Sequence, residues 1–246
     1  MNSLQNKRAL VTGASRGLGK AMALSLAKAG ASVAITYEKS ADKARQVVKE
    51  IEAMGHKAVA IQADSASPEA ARSAVSEAVS ALGGLDILVN NAGIARGGIL
   101  EDLSLEDIDA MINVNVRGVV LTTQAALPHL GHGGRIINIG SCLAERVPLT
   151  GISVYAMTKS ALLALTRGLA RDVGPRGITV NLVHPGPTDS DMNPADGEGA
   201  DTQRQFIALG HYGTADDVAA AVTFLAGPAA QHITGTGINV DGGVNA

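Results

Sequence analysis

The stretch that decides the fold reads Ala9-Leu10-Val11-Thr12-Gly13-Ala14-Ser15-Arg16-Gly17-Leu18-Gly19. A short apolar run leads into glycines spaced G-x-x-x-G-x-G, and a segment with helical periodicity begins at Lys20. Glycines at a strand-to-helix turn let the backbone approach a pyrophosphate, whose charge is stabilised by free N–H groups at the helix N-terminus. The stretch therefore predicts a nucleotide-binding turn. Its candidate cofactor-binding residues are Gly13, Ser15, Arg16, Gly17, Leu18 and Gly19.

The same residues also match a hydrolase motif. Gly13-Ala14-Ser15-Arg16-Gly17 has the G-x-S-x-G spacing of the α/β-hydrolase nucleophile elbow, in which Ser15 would be the nucleophile. That elbow normally follows a strand in the middle of the chain, and no later acid and histidine pair suits it. A phosphate-binding P-loop is excluded, because Gly19-Lys20 is followed by Ala21 rather than by serine or threonine.

Short β-branched runs alternate with longer helical segments along the rest of the chain. This alternation predicts βαβ units and a parallel sheet that is covered on both faces. The predicted strands are residues 9–11, 32–37, 58–63, 87–90, 135–139, 179–184 and 237–240. We expect one α/β domain over residues 1–246, with a Rossmann-type doubly wound parallel sheet of about seven strands and helices on both faces. Helix starts are predicted at Ser67, Ser104 and Thr214 from their capping patterns.

One long stretch, residues 187–213, breaks this alternation. Proline, glycine and aspartate punctuate it, and its apolar periodicity fades. A loop of this length within a compact domain is typical of a functional cover over a site. We therefore predict a substrate lid here.

The composition excludes several classes of function. Aromatic residues make up 2% of the 246 residues and the net charge is −3, which argues against base stacking and against anionic nucleic-acid or membrane partners. The single cysteine, Cys142, cannot form an internal disulfide, and no apolar run reaches the roughly 20 residues that span a bilayer. The N-terminal residues lack the apolar stretch of a signal peptide. We expect a cytoplasmic protein with neither a nucleic-acid nor a membrane partner.

The second strand should select the cofactor. Dinucleotide-binding folds often carry an acid there that binds the ribose 2′-hydroxyl, but this chain has Tyr37. Arg16 and Lys39 could instead face a 2′-phosphate, although Glu38 lies beside them. The pattern favours NADP over NAD.

A candidate catalytic group lies in the second half of the chain. Tyr155 and Lys159 are four residues apart and so share one face of a helix. An ammonium one turn away stabilises a phenolate, so we expect Lys159 to lower the pKa of Tyr155. Ser141 follows the strand predicted at 135–139, where parallel sheets present ligand-facing residues. His129 and His132 lack a nearby carboxylate, and we expect no metal site.

Taken together, these motifs make the chain resemble a classical short-chain dehydrogenase/reductase along nearly its whole length. Asn90-Asn91-Ala92-Gly93 matches the family's NNAG segment, and Asp64 matches the aspartate that contacts adenine. The family's catalytic tetrad corresponds to Asn115, Ser141, Tyr155 and Lys159, and Pro185-Gly186 corresponds to the turn beneath the nicotinamide. Thr188 and Ser190 replace the family's usual aliphatic residue and threonine after that turn. The resemblance adds Asn91, Ala92, Gly93, Thr188 and Ser190 to the expected cofactor-binding residues.

The resemblance implies a reaction and an assembly. Hydride would pass between the nicotinamide and a small carbonyl or alcohol substrate, with Tyr155 as the general acid and base and Lys159 on the nicotinamide ribose. Ser141 would bind the substrate oxygen and Asn115 would support a water in the proton relay. The chain is most similar to the β-ketoacyl carrier-protein reductase branch, which implies a homotetramer. Residues 185–194 also resemble bacterial members proposed as cyclic-dinucleotide-binding regulators, and this provides an alternative function.

Overall fold

The computed structural model describes residues 3–246, and its seven strands form one parallel sheet in the order β3-β2-β1-β4-β5-β6-β7. The strands are β1 (Arg8–Val11), β2 (Ser32–Tyr37), β3 (Ala58–Gln62), β4 (Leu85–Asn90), β5 (Leu130–Ile139), β6 (Thr179–Pro185) and β7 (Gly237–Val240). The chain runs from β1 outward to β3 and then returns to pair β4 with β1. This reversal opens a crevice at the carboxyl ends of the strands, which is where ligands bind in such sheets. The predicted doubly wound sheet is confirmed.

Helices cover both faces of the sheet. They are α1 (Gly17–Lys28), α2 (Ala41–Ala53), α3 (Pro68–Leu82), α4 (Leu105–Ile112), α5 (Val119–Ala126), α6 (Ser153–Val173), α7 (Ala200–Arg204) and α8 (Ala215–Ala226). Buried residues of α1, α2 and α8 form one core cluster, and those of α3 and α6 belong to a second cluster. Successive residues of β1 alternate between the two clusters: Val11 packs in the first and Leu10 in the second. The buried residues of both clusters include no aromatic side chain, in keeping with the aromatic content of 2%.

The predicted helix starts are confirmed by hydrogen bonds. The Ser67 hydroxyl accepts a hydrogen bond from the Ala70 N–H, and the Ser104 hydroxyl accepts one from the Asp107 N–H. Thr214 and Asp217 form a reciprocal capping box at the start of α8. Each cap satisfies an N–H group that would otherwise lack a partner in the first turn.

The predicted strand bounds agree to within two residues except at the start of β5, and the 187–213 segment also differs from its prediction. Strand β5 begins at Leu130 rather than at residue 135, and its glycine-rich start, with Gly133 at φ +82°, interrupts the regular pairing with β4 between Leu85 and Ile87. Residues 187–213 are not wholly irregular, since they contain the short helix α7. Their ends are joined where the Gly213 N–H donates to the Pro187 carbonyl (3.0 Å) and the Asp189 N–H to the Gly213 carbonyl (2.9 Å). No helix within residues 3–246 combines the length and apolar character needed to cross a membrane.

Candidate active site

A cleft of about 760 Å³ opens at the carboxyl ends of the strands. It collects residues from the turn after β1, the loops after β2 to β6, and the 187–213 segment. The predicted site residues that line it are Gly13, Ser15, Arg16, Gly17, Leu18, Gly19, Tyr37, Lys39, Asp64, Asn91, Ala92, Gly93, Ser141, Tyr155, Lys159, Pro185, Gly186, Thr188 and Ser190. Asn115 is the one predicted site residue that is not in this lining.

The glycine turn packs tightly against the NNAG segment. A Cβ on Gly19 would lie 2.6 Å from Asn91 Nδ2 and 2.6 Å from the Gly13 carbonyl oxygen. Asn91 Nδ2 in turn donates to the carbonyls of Thr12 (2.8 Å) and Gly13 (3.0 Å). The Asn91 side chain therefore holds the turn in place through its backbone.

The start of α1 has the features of an anion site. Its N-cap, Arg16, makes no side-chain capping bond, and its first turn contains no acidic residue. The N-terminal N–H groups of a helix favour negative charge. Together with the close approach at Gly19, this part of the cleft fits the pyrophosphate of a dinucleotide.

Beyond the turn, two cationic side chains gather around one carboxylate of the 187–213 segment. Arg16 Nη1 is 3.2 Å from Asp191 Oδ2, and Lys43 Nζ is 3.5 Å from the same oxygen. Lys39, by contrast, is exposed and pairs with its neighbour Glu38 at 3.0 Å. Lys43 and Asp191 were not among the predicted residues. The sequence could have indicated Lys43, because this residue lies in the first turn of α2, the helix that follows the strand expected to select the cofactor.

Ser141, Tyr155 and Lys159 come together on the opposite side of the cleft. Lys159 is 5% exposed, its Nζ donates to the Ile139 carbonyl (3.0 Å), and it lies 5.9 Å from the centre of the Tyr155 ring. Burial raises the pKa of Tyr155 to about 12, while hydrogen bonding to Ser141 acts in the opposite direction. Burial also lowers the pKa of Lys159 to about 8. The expectation that Lys159 would lower the pKa of Tyr155 is not met, because desolvation raises this pKa and Lys159 is not among the groups that shift it.

Asn115 lies behind the cleft, in a π-helical turn, Asn113–Gly118, that connects α4 to α5. Its Oδ1 accepts from the Ile94 N–H (2.9 Å), and its Nδ2 donates to the Ile94 carbonyl (2.9 Å) and to Thr158 Oγ1 (3.0 Å). π-Turns within α-helices are frequent at functional sites. Here the turn lets Asn115 hold the strand-end loop beside Lys159, so its side chain is placed to position other groups. Its predicted role in a water relay stays a prediction.

His184, near the end of β6, contacts the backbone of Ser141. It is fully buried, and its Nδ1 lies 2.8 Å from the Ser141 carbonyl oxygen. Because a carbonyl only accepts, Nδ1 carries the proton, and the buried Nε2 has no hydrogen-bond partner within residues 3–246. The ring occupies space left by two glycines: a Cβ on Gly140 would lie 2.9 Å from Nδ1, and one on Gly237 would lie 2.7 Å from Nε2.

The turn after β6 forms the floor of the cleft. A Cβ on Gly186 would lie 2.6 Å from the Asp241 Cα, so glycine is required for this approach. Thr188 stands where the family usually has an aliphatic residue. Its hydroxyl donates to the Gly186 carbonyl (2.9 Å), so this polar group is bonded to the backbone. Ser190 Oγ likewise points to the Thr188 carbonyl at 3.4 Å.

The structure gives less support to a hydrolase nucleophile, a reactive thiol or a metal site. The cleft lining over the described residues includes no histidine, so Ser15 lacks the base that a hydrolase nucleophile needs. Burial raises the pKa of the Cys142 thiol to about 11, which keeps it protonated and unreactive at neutral pH. Across residues 3–246, no group of three His, Cys, Asp or Glu side chains is arranged to hold a metal ion.

Comparison with known proteins gives matches over the whole chain. The family model described as enoyl-(acyl carrier protein) reductase matches residues 13–245. The chain is 40% identical over 246 residues to the cyclic-di-GMP-binding biofilm dispersal mediator protein of Escherichia coli (strain K12), covering 100% of both. It is 42% identical over 241 residues to the 3-oxoacyl-(acyl-carrier-protein) reductase of Staphylococcus aureus (strain Mu50), covering 97% of this chain and 98% of that protein.

A solved structure agrees even more closely. It is a short-chain dehydrogenase from Burkholderia cenocepacia J2315 in complex with NADP, which is 64% identical to this chain. The TM-score is 0.98, and the match covers 99% of this chain and 100% of that one.

Proposed function

Because the chain belongs to the short-chain dehydrogenase/reductase family, we propose that it is an NADPH-dependent oxidoreductase that interconverts a ketone and a secondary alcohol. The observation that carries this proposal is the convergence of Ser141, Tyr155 and Lys159 on one side of a cleft whose other side is the glycine turn. A nucleotide bound to that turn would extend along the cleft toward the two hydroxyl groups. A cleft that combines these three side chains with a cofactor-binding turn suits the reduction of a carbonyl group.

The choice of NADPH rests on charge. Position 37 lacks the acid that would bind a free 2′-hydroxyl, and Arg16 and Lys43 provide positive charge beside it. A similar chain from Burkholderia cenocepacia was solved in complex with NADP. When bound, the cofactor supplies the hydride for the reaction.

The chain's own residues supply the proton and fix the substrate. With its pKa raised to about 12, the Tyr155 phenol is protonated at neutral pH and can donate its proton to the carbonyl oxygen as the carbon is reduced. The Ser141 hydroxyl donates a second hydrogen bond to that oxygen. The nearby Lys159 ammonium stabilises the tyrosinate that remains until solvent returns a proton.

The lining suits a substrate with an apolar part. Side chains of Ile94, Leu149, Ile152, Met192 and Phe206 face the cleft. Two of them, Met192 and Phe206, come from the 187–213 segment, which we propose acts as the substrate lid. An uncharged ketone, a keto ester or a 3-oxoacyl thioester would bury its hydrocarbon portion against this surface.

A cyclic-dinucleotide regulator is the second candidate, and the full-length similarity to the Escherichia coli protein favours it. The phosphates of such a ligand would be bound most strongly by arginine and lysine side chains. The lid contains one arginine, Arg204, whose guanidinium is engaged by Asp201 (2.6 Å) and by the Ala195 carbonyl. Because this arginine is already engaged, and because Ser141, Tyr155 and Lys159 lie together in the cleft, the site supports the enzyme over the regulator.

The proposal is tested by following loss of NADPH or NADH absorbance with a panel of ketones, keto esters, 3-oxoacyl thioesters and enoyl thioesters. We expect turnover of at least one carbonyl compound, with NADPH preferred over NADH. Turnover of only the enoyl thioester would place the reaction at a carbon–carbon double bond. If no compound is reduced and cyclic di-GMP binds in calorimetry, the regulator replaces the enzyme.

We further propose that the protein is a cytoplasmic homotetramer, as the family resemblance implies. Exposed apolar side chains on α4, α5 and α8, namely Leu105, Val120 and Phe224, support association between copies. Light scattering coupled to gel filtration measures the mass directly.

A further inference from the structure

Asp191 joins the lid to the nucleotide side of the cleft. Its Oδ2 lies 3.2 Å from Arg16 Nη1, before α1, and 3.5 Å from Lys43 Nζ, in α2. One carboxylate on the lid thus contacts cations from two other elements. We name these three side chains the Asp191 clasp.

The rest of the lid is anchored on the catalytic side. Its ends are joined through Gly213, and Ile207 and Tyr212 pack in one apolar cluster with Cys142 and Val244. Asn193 and Gln203 exchange two hydrogen bonds of 3.0 Å within the lid itself. The clasp is the polar contact that reaches from this anchored segment across the mouth of the cleft.

The clasp occupies the cations that the proposed function assigns to the 2′-phosphate. A carboxylate and a phosphate are both anions that bind arginine and lysine, and one set of cations cannot satisfy both fully. We propose that Asp191 is a specificity-determining residue, which holds Arg16 and Lys43 in the cofactor-free protein and is displaced by the 2′-phosphate of NADP(H). This inference rests on the proposed function, and it adds the lid to cofactor selection. NADH, which lacks that phosphate, would leave the clasp closed.

The ion pairs of the Asp191 clasp are weak enough for a phosphate to displace the Asp191 carboxylate. The side chains of Arg16, Asp191 and Lys43 are 51%, 53% and 60% exposed, and ion pairs in water are individually weak. The hydrogen bond from Arg16 lowers the pKa of Asp191, so its carboxylate is ionised throughout the neutral range. We therefore expect the competition to change affinity by about three- to tenfold.

The test compares Asp191→Asn with a matched control, Asp196→Asn. Asp196 is another exposed lid acid, its substitution makes the same change in net charge, and it does not line the cleft. Calorimetry with adenosine 2′,5′-bisphosphate, NADPH and NADH measures the affinities. Asp191→Asn should bind the bisphosphate and NADPH about three- to tenfold more tightly and NADH nearly as the wild type does, while Asp196→Asn should match the wild type. The gain should shrink as salt is raised, because the competing charges are exposed.

The outcomes separate this inference from the proposed function. A wild-type preference for NADPH with an unchanged or weakened bisphosphate affinity in Asp191→Asn would overturn the clasp alone. An equal gain in Asp196→Asn would also overturn it, since the effect would then be one of overall charge. Wild-type protein that bound neither the bisphosphate nor NADPH would overturn both proposals.

Discussion

Tyr155 and Lys159 lie one turn apart on α6, and burial shifts their pKa values in opposite directions. The pKa of Tyr155 is raised to about 12 and that of Lys159 is lowered to about 8, so burial shifts each toward its neutral form, while Lys159 stays mostly protonated at pH 7. A protonated phenol is the form needed to give a proton to a carbonyl oxygen. The charged form of Lys159 is held at an energetic cost, as is common where a site is built for function.

That cost leads to a stability prediction for the cofactor-free protein. Lys159 has a pKa of about 8 when folded and 10.5 in its unperturbed form, so between these values the unfolded chain binds more protons and stability rises with pH. The destabilisation is complete below pH 8 and corresponds to about 3 kcal/mol. Lys159→Met should therefore raise Tm at pH 7, and the difference from the wild type should fade toward pH 10.5.

Thermal unfolding of the cofactor-free protein across this pH range measures the effect. The matched control is Lys49→Met, which removes an exposed lysine from α2 and should leave Tm nearly unchanged. A Tm for Lys159→Met at pH 7 equal to or below that of the wild type would contradict the prediction.

At the scale of the secondary-structure elements, the turn between β1 and α1 is tightly constrained at Gly19. A methyl group at Gly19 would meet Asn91 and the Gly13 carbonyl at 2.6 Å, and a backbone atom cannot move aside cheaply. Gly19→Ala should push the turn away from the NNAG segment, lower stability by about 1–3 kcal/mol and weaken NADPH binding by at least about tenfold.

Calorimetric titration with NADPH and thermal unfolding together check this expectation. Gly168→Ala is the control, because a Cβ at that position in α6 meets nothing within 4 Å. Alanine within a helix should be neutral or slightly stabilising there. Unchanged NADPH affinity in Gly19→Ala would show that the turn tolerates the displacement.

Sequence patterns predict a helix start correctly where the interaction that fixes it joins residues close together in the chain. The caps at Ser67, Ser104 and Thr214 were readable because each partner lies three residues away. The start of β5 was missed, since its glycine-rich beginning pairs with β4 through Leu85 and Leu130, which are far apart in sequence. The sequence does not predict α7, because a helix this short shows no apolar periodicity.

Across the whole molecule, the fold gathers at one sheet edge residues that are scattered through the sequence. The motifs predicted this cleft, because the carboxyl ends of parallel strands meet at one edge. The partnership of Asp191 with Arg16 was not predictable, since the two are 175 positions apart and no periodicity connects them. The direction of the Tyr155 pKa shift was also missed, because desolvation depends on packing that spacing alone does not reveal.

The central claim is that this cleft reduces a carbonyl with Tyr155 as the proton donor. The most direct test measures the rate of NADPH oxidation by Tyr155→Phe and by the wild type with the best ketone substrate, at a saturating cofactor concentration verified by calorimetry. We predict that kcat falls by about 10²- to 10⁴-fold, the range typical of losing a general acid, while the Kd for NADPH changes little. Wild-type turnover by Tyr155→Phe would contradict the claim.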